Sequence, residues 1–412
     1  MKATILTLGC KVNQSESSII EGNLVKNGFD IVPLSERPDY CIINTCTVTA
    51  KSDYQSRQMV RRALKAGSRV IVTGCYSQLR PEEIERISGN ITIVNNENKL
   101  HIINDLCDTV ESSCLGFSHR ARPYLKIQDG CNSACTYCIV PKARGRSHSL
   151  QVSEILNQAL EYEYKGYNEI VLTGIHLGSY GHDLNPAVRL ADVLETLLNK
   201  TGISRIRLSS IEVKEIDSRT IELLSEERIC KHLHIPLQSG DDAVLKRMNR
   251  TYGVRDYLKT VENVAANSPD IALGTDIIVG FPGESEEEFM RTATLADALP
   301  FSYIHIFPFS QRPDTPAFRM PGQIAPQLKK NRYEFMNAIN SRKKDMYISS
   351  HIDKVLDVIV EEAADDRTVV GTSGNYLRVK ICADNHAKKS RIYVRVSGRE
   401  GNILKGHPID NM

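Results

Sequence analysis

Six cysteines are placed where they could do chemistry. Three lie in Cys131-Asn-Ser-Ala-Cys135-Thr-Tyr-Cys138, a C-x3-C-x2-C run directly after the strand-like segment Pro123-Tyr-Leu-Lys-Ile-Gln-Asp129. One short loop of this kind can wrap three thiolates around three corners of a cubane iron–sulfur cluster and supplies no fourth ligand. The iron left open could hold S-adenosylmethionine by its amino and carboxylate groups and, given an electron, cleave it to a 5′-deoxyadenosyl radical. A structural zinc loop is the competing reading. Zinc prefers four closed ligands, usually two pairs joined by a longer spacer, and three cysteines in eight residues fit that poorly.

The other three are Cys10, Cys46 and Cys75, far apart in sequence but alike in position. Apolar runs predict strands at Ala3–Leu8, Phe29–Val32, Tyr40–Asn44, Arg69–Thr73 and Ile91–Val94, and helical periodicity predicts helices at Ser17–Lys26, Ser56–Lys65, Pro81–Ile87 and Lys99–Leu106. That alternation is a doubly wound parallel sheet. Each cysteine follows one of its strands, and in such a sheet the carboxyl ends share the edge where ligands bind. Each thiol alone is most simply a buried cysteine. Together they predict a second cluster with three protein ligands and an open iron. Cys41, Cys107, Cys114, Cys230 and Cys382 are expected to be structural thiols.

Further βα units follow, with strands expected at Leu125–Gln128, Glu169–Thr173, Arg205–Leu208, His232–Pro236, Leu273–Val279 and Tyr303–Phe307. Helices are expected at Ser153–Tyr164, Leu190–Leu198 and Glu287–Leu299, the last with a capping box in Ser285-Glu-Glu-Glu288. Six parallel strands suggest a partial barrel, whose chemistry collects in the carboxyl-end loops. The last part turns to short strands at Val355–Glu361, Thr368–Gly371, Tyr376–Ile381 and Arg391–Val396, the pattern of a small all-β barrel. There Tyr376, Arg378, Lys380, Lys388, Lys389, Arg391, Tyr393 and Arg395 could form a face that tracks RNA, or the barrel could be a structural cap. The expected units are residues 1–112, 118–346 and 349–412.

Composition bounds the reading without deciding it. The chain has 412 residues and a net charge of +2 from 52 basic and 50 acidic side chains, so any nucleic-acid surface must be a local patch. On the helix expected at Ser56–Lys65, Arg57, Arg61 and Lys65 recur at helical spacing, with Arg62 beside them; a solvated face explains them more simply than phosphate contact. Eleven cysteines without a secretory signal suit metal ligands and buried thiols in a reducing compartment. No run approaches a membrane span, so the expectation is a soluble, cytoplasmic protein. His176, His182, His232, His234 and His305 are expected to be core or hydrogen-bonded histidines, not metal ligands.

The three-cysteine loop, with Tyr137 before its last cysteine, resembles that of the radical S-adenosylmethionine superfamily. More narrowly, Ile139-Val-Pro-Lys-Ala-Arg-Gly-Arg-Ser147 resembles the methylthiotransferase family. Thr7-Leu-Gly-Cys-Lys-Val-Asn-Gln14, Asn44-Thr-Cys-Thr-Val-Thr49 and Val72-Thr-Gly-Cys-Tyr-Ser-Gln78 are similar to the three cysteine signatures of that family's N-terminal domain. The resemblance implies two [4Fe–4S] clusters, one held by Cys131, Cys135 and Cys138 and one by Cys10, Cys46 and Cys75. It also implies S-adenosylmethionine as methyl donor and radical source, with contacts from Thr173, Gly174, Ser209, Gln238 and Gly280, and a C-terminal TRAM-like domain that contacts tRNA. The segment Pro308–Ala317 is similar too, but Asp314 stands where the family usually has glycine.

The implied reaction adds a methylthio group to adenosine 37 in the anticodon loop of tRNA, supported by an electron donor such as flavodoxin or ferredoxin and by a sulfide source. Lys11-Val12 is closer to the branch acting on N6-threonylcarbamoyladenosine than to the isopentenyladenosine branch, which usually has Gln-Met there, or the ribosomal-protein branch, which has Pro-Lys. Two other readings stay open: the same radical chemistry on a protein side chain, and a non-catalytic iron–sulfur or zinc protein that binds RNA.

Overall fold

The computed structural model describes residues 1–107, 120–365, 368–382 and 387–409. The boundary expected between residues 112 and 118, and Cys114, lie outside them.

The first sheet is parallel and five-stranded, in the order β2-β1-β3-β4-β5, with β1 Lys2–Thr7, β2 Asp30–Ile31, β3 Tyr40–Thr45, β4 Arg69–Gly74 and β5 Ile91–Ile93. Both faces are apolar. Ile42 and Ile71 pack on one side with Ile20, Leu24 and Ile102, and Cys41, Ile43, Val70 and Val72 pack on the other with Val60, Ala63 and Ile84. Buried on both faces, β3 and β4 are nearly continuous hydrophobic runs.

The helices depart from expectation in instructive ways. Helix α1 spans Lys11–Lys26, not Ser17–Lys26, with Cys10 as its N-cap. Its first turns bury Asn13, Ser15, Glu16 and Ser17, polar groups that hide it from apolar periodicity. Helix α2 spans Ala50–Lys65, not Ser56–Lys65, because Thr49 and Ser52 form a capping box at its start. On it Arg57 is engaged with Tyr76 Oη at 2.6 Å and Glu83 at 3.0 Å, while Arg61, Arg62 and Lys65 are exposed. A short helix, α3 Cys75–Leu79, precedes α4 Pro81–Glu85, and Lys99–Asp105 is a 3-10 helix rather than the expected α-helix.

The central strands are β6 Tyr124–Lys126, β9 Glu169–Thr173 and β10 Arg205–Leu208 in one three-stranded parallel sheet, and β11 His232–His234, β12 Ala272–Val279 and β13 Phe301–Pro308 in another. A lone parallel bridge, Ser210 to His234, spans the seam. An antiparallel pair, β7 Gln128–Asp129 with β8 His148–Ser149, closes the cysteine loop. Surrounding helices are α5 Val140–Arg144, α6 Val152–Tyr164, α7 Leu190–Lys200, α8 Ser218–Leu223, α9 Asp242–Arg247, α10 Val254–Asn267, α11 Glu286–Ala298 and α12 Pro326–Ser349. Ser285 caps α11 as its sequence predicts.

Alternation divides the faces of these six strands. Leu125, Ile170, Leu172, Ile206, Leu208, Leu233, Leu273, Ile277 and Ile304 pack against the helices. Their neighbours Lys126, Glu169, Arg205, Arg207, His232, His234, Asp276, Tyr303 and His305 fall on the opposite face, since successive side chains point to opposite sides of a strand.

Strands β14 Val355–Asp365, β15 Thr368–Ser373, β16 Arg378–Cys382, β17 Arg391–Glu400 and β18 Ile403–Ile409 close a barrel in the order β14-β15-β16-β18-β17. Strand β18 is absent from the sequence prediction. Its run, Ile403-Leu-Lys-Gly-His-Pro-Ile409, carries Gly and Pro inside the strand, both weak strand formers. The basic and aromatic residues expected to form one RNA-tracking face are divided. Tyr376 stacks on His232 with ring centroids 4.4 Å apart, Lys389 lies over the Tyr167 ring, and Arg391 pairs with Asp357, whereas Arg395 is exposed.

Candidate active site

The carboxyl edge of the first sheet gathers three thiols. Cys10 caps α1, Cys46 follows β3, and Cys75 opens α3 directly after β4. Two glycines permit the approach. Gly9 has φ +107°, and a Cβ there would lie 2.9 Å from Cys46 Cβ; Gly74 has φ +98°, and a Cβ there would lie 2.4 Å from Thr45 O. The Asn13 side chain ties the edge together by donating to Leu8 O at 2.7 Å and Thr45 O at 2.9 Å. Burial pushes the Cys46 thiol up and the Cys75 thiol up to about 11, with Cys10 adding like charge in both cases.

The second triple is on the loop after β7. Burial raises the Cys131 thiol, but a contact with His176 Nδ1 at 3.5 Å and the Ser133 backbone N–H at 3.4 Å bring it below its ordinary value. At Cys138 burial outweighs a hydrogen bond from the Val140 backbone and pushes the thiol up to about 12. Arg250 Nη1 donates to Cys135 Sγ at 3.2 Å and to Tyr137 Oη at 3.3 Å, while its other amino group pairs with Glu212. His176 Nε2 meets Glu215 Oε1 at 2.9 Å. His176 is thus hydrogen-bonded, but at the cysteine loop rather than in a core.

Beside this loop opens a cleft of about 520 Å³ lined by Cys135, His176, Glu212, Glu215 and Arg250. Thr173, Gly174, Ser209, Gln238 and Gly280 are outside its lining. They stand instead at or after the carboxyl ends of β9, β10, β11 and β12. Ser209 is buried and, among the described residues, its hydroxyl has no hydrogen-bond partner, so it is free to bond a ligand. Gly174 is held tight by Gln128, whose Oε1 would lie 2.7 Å from an added Cβ; the same Oε1 accepts from His176 N–H at 2.8 Å. Gly280 has φ +73°, and a Cβ there would meet the Lys329 side chain at 2.2 Å, so packing against α12 also demands glycine.

Both triples have the donor chemistry of an iron–sulfur site. Among the described residues, the one His/Cys/Asp/Glu trio with ligand atoms within 4.8 Å of one another is His234, Asp276 and His305. The cysteine triples are therefore spread more widely than ligands of a single ion, which suits the corners of a cluster better than zinc.

A buried charge network joins the two triples. Glu16, fully buried on α1, accepts from Lys99 at 2.6 Å and from Lys126 and Arg144 at 3.0 Å; Arg144 also pairs with Asp129 at 2.8 Å and donates to Asn13. Further along, Arg312 donates to Thr47 at 2.7 Å and Asp53 at 2.6 Å. Asp314 adopts φ +70° and pairs with Arg80 of the first unit. The left-handed backbone explains why glycine suits that position and why a short polar side chain is tolerated there.

The polar face of the central sheets is a second network of paired charges, which reaches into the C-terminal barrel. Glu169 accepts from Arg207 Nε at 2.7 Å and from Arg205, and their charges, with that of Arg122, hold its carboxyl well below the usual range against the opposing effect of burial. Asp276 Oδ1 lies 2.9 Å from His234 and 3.2 Å from His305, and Tyr303 Oη lies 2.8 Å from His232 and 3.1 Å from His234. Sequence reasoning missed Gln128, Arg144, Glu212 and Arg250 as site residues. Arg144 stands inside the methylthiotransferase-like segment and could have been found there; the others carry no local signal.

Comparison with known proteins agrees with this anatomy. The chain matches the Radical SAM superfamily over residues 125–296 and the uncharacterized protein family UPF0004 over residues 2–95. It is 38% identical over 401 residues to the threonylcarbamoyladenosine tRNA methylthiotransferase MtaB of Bacillus subtilis (strain 168), covering 90% of this chain and 88% of the relative. The Thermotoga maritima enzyme of the same name is 34% identical, with 97% and 95% covered. The tRNA-2-methylthio-N(6)-dimethylallyladenosine synthase of Alkaliphilus oremlandii is 31% identical, with 96% and 90% covered. The fold is shared with the radical S-adenosylmethionine methyltransferase TsrM from Kitasatospora setae, at a TM-score of 0.58 and 13% identity over 77% of this chain and 75% of that one. No helix among the described residues is long and apolar enough to cross a membrane. With similarity running through both cysteine regions and nearly the full length of its relatives, the chain belongs to the radical S-adenosylmethionine methylthiotransferase family, whose superfamily implies S-adenosylmethionine and a [4Fe–4S] cluster.

Proposed function

We propose that the protein places a methylthio group on C2 of N6-threonylcarbamoyladenosine at position 37 of tRNA, giving 2-methylthio-N6-threonylcarbamoyladenosine. The observation that carries the substrate is the polar face of the central sheets. Arg122, Arg207, His232, His234 and Asp276 would leave an isopentenyl group without apolar contact, whereas a threonylcarbamoyl group offers hydrogen-bonding atoms and a negative charge. The names of the Bacillus subtilis and Thermotoga maritima relatives support the same substrate.

In this reading Cys131, Cys135 and Cys138 hold one [4Fe–4S] cluster and Cys10, Cys46 and Cys75 hold the second. When bound, these groups and S-adenosylmethionine supply a radical able to remove hydrogen from an unactivated aromatic C–H bond, together with the sulfur and methyl to be transferred. No side-chain base could substitute, because that C–H bond is far too weak an acid.

The protein's own residues hold and shield. Ser133 N–H, His176 and Arg250 place positive charge and N–H donors around the thiolates of Cys131 and Cys135. Thr173, Ser209 and Gln238 offer polar groups at adjacent strand ends for S-adenosylmethionine, Tyr137 contributes from the cysteine loop, where Arg250 holds its hydroxyl, and Gly174 and Gly280 leave room.

The six central strands act as a partial (βα)6 barrel and the C-terminal barrel as a TRAM-like module, with units over residues 1–112, 118–346 and 349–412. A cleft of about 530 Å³ between Arg120, Arg122, Tyr124, Tyr376, Arg378 and Lys388, where Glu361 and Glu362 pair with Arg122 and Arg378, gives the anticodon loop a charged and aromatic approach. The target base is splayed from its stack to reach the thiols. A flavodoxin or ferredoxin supplies electrons, a sulfide source restores sulfur, and the work is done in the cytoplasm.

Mass spectrometry of tRNA nucleosides with and without the gene tests this. Loss of 2-methylthio-N6-threonylcarbamoyladenosine with accumulation of its unthiolated precursor is expected. Loss of the isopentenyl nucleoside in its place overturns the substrate, and no change in either removes tRNA from the proposal.

A further inference from the structure

Strands β11, β12 and β13 bring three ligand-type side chains together on the polar face of their sheet. Asp276 and His305 are direct partners in the β12–β13 register, and His234 stands on β11 opposite Gly274, two residues before Asp276. Alternation therefore puts all three on one face. A single oxygen, Asp276 Oδ1, lies 2.9 Å from His234 Nε2 and 3.2 Å from His305 Nδ1, and the ligand atoms of the three residues are all within 4.8 Å of one another. Donors held at about 2.0–2.2 Å from one zinc ion stand about 2.9–3.5 Å apart along the edges of its shell, so the two spacings fit. Without an ion they serve N–H···O hydrogen bonds, so Asp276 aims both imidazoles in either state.

Three further features suit a cation. The outer nitrogen of His234, Nδ1, meets Tyr303 Oη at 3.1 Å; a phenol oxygen that accepts there fixes Nε2 as the lone pair, the usual support of a metal-bound histidine. Gly274 makes that support possible, because a Cβ there would lie 2.2 Å from Tyr303 Cζ. Strands β11, β12 and β13 carry no lysine or arginine, and Arg205 and Arg207 lie on the other sheet, paired with Glu169. Exposure rises from 9% of the His234 side chain through 25% of Asp276 to 56% of His305, so an ion would be anchored at depth and keep positions open for an oxygen ligand. We propose that His234, Asp276 and His305 form a mononuclear site for a divalent transition metal such as zinc or iron(II), sharing no residue with either cysteine triple. Two histidines expected only to be hydrogen-bonded thus become ligands.

The test adds zinc(II), without oxygen, to reconstituted holoenzyme whose iron and sulfide have been assayed. Equilibrium dialysis should find one more zinc per chain in the unaltered protein than in His305→Ala, with iron and sulfide unchanged. His305 is exposed, so its loss should leave the circular dichroism and the thermal midpoint intact. X-ray absorption at the zinc edge should show nitrogen and oxygen neighbours at about 2.0–2.2 Å and no sulfur. Tyr303→Phe keeps all three ligands and should hold the zinc roughly 10- to 100-fold more weakly. Equal zinc uptake by the unaltered protein and His305→Ala, zero uptake by both included, overturns the proposal. So does sulfur in the shell of the bound zinc, which would place it on the cysteines.

Discussion

The first sheet and the central sheets are both parallel and helix-wrapped, yet they use their two faces differently. In the first, Ile42 and Ile71 fill one side and Cys41, Ile43, Val70 and Val72 the other, so nothing but the carboxyl edge is left for chemistry. In the central sheets one side is apolar, while the other carries Glu169, Arg205, Arg207, His232, His234 and Asp276, most of them buried and paired with one another. The first is a platform that presents three thiols on a rim. The second adds a face of paired charges. A parallel sheet can stay polar on one face provided each charge there finds a partner, since an isolated buried charge would cost more than the sheet could offset.

The largest effects should separate the two rims. Cys131→Ala is expected to abolish formation of 5′-deoxyadenosine from S-adenosylmethionine, whereas Cys46→Ala should keep that cleavage and make no methylthiolated tRNA, each variant losing about half of the bound iron. If Cys46→Ala also stops cleavage while the second cluster remains, the division of labour between the rims is wrong.

Next come the faces themselves. Glu169→Ala removes the partner of two buried arginines and should lower stability by about 3–5 kcal/mol in urea unfolding. Ile43→Ala in the first sheet leaves only an apolar cavity and should cost about 2–4 kcal/mol. A near-zero effect at Glu169 would show the polar face to be decoration.

Acid should sharpen the contrast. The Glu169 and Asp276 carboxyls are both held below the usual range, against burial, Glu169 by arginines and Asp276 by histidines. A depressed folded pKa gives stability that is present above the unfolded value, near 4, and is lost as pH falls below it. Thermal unfolding midpoints measured from pH 6 down to 3 should therefore drop less steeply in Glu169→Gln than in the unaltered protein. Smallest of all, Asp314→Gly should relieve the left-handed backbone while losing an exposed pair with Arg80, a net change within about 0.5 kcal/mol.

The cysteine placements were legible because strand ends share an edge whatever the loops between them do. The polar face is visible too, in the alternation of Glu169-Ile-Val-Leu-Thr173, Arg205-Ile-Arg-Leu208 and His232-Leu-His234. What escaped depends on partners that sequence does not display. The start of α1 is hidden by buried Asn13, Ser15, Glu16 and Ser17, whose hydrogen bonds lie on other elements. Arg250 meets Cys135 across 115 positions of sequence. Tyr376 sits where an RNA-stacking aromatic would be expected, and only the fold turns it onto His232.

The guanidinium groups of Arg205 and Arg207 do not end their contacts at Glu169. They donate to the carbonyls of Asp357, Thr372, Ser373 and Gly374, so the last sixty or so residues complete the solvation of charges that belong to the central strands. The C-terminal barrel is a keystone, not a detachable handle: trimming it away would strip two cations of their acceptors. A shortened protein would fail first in its folding, before RNA capture could be measured, and a foreign barrel grafted in its place would have to offer the same four carbonyl oxygens.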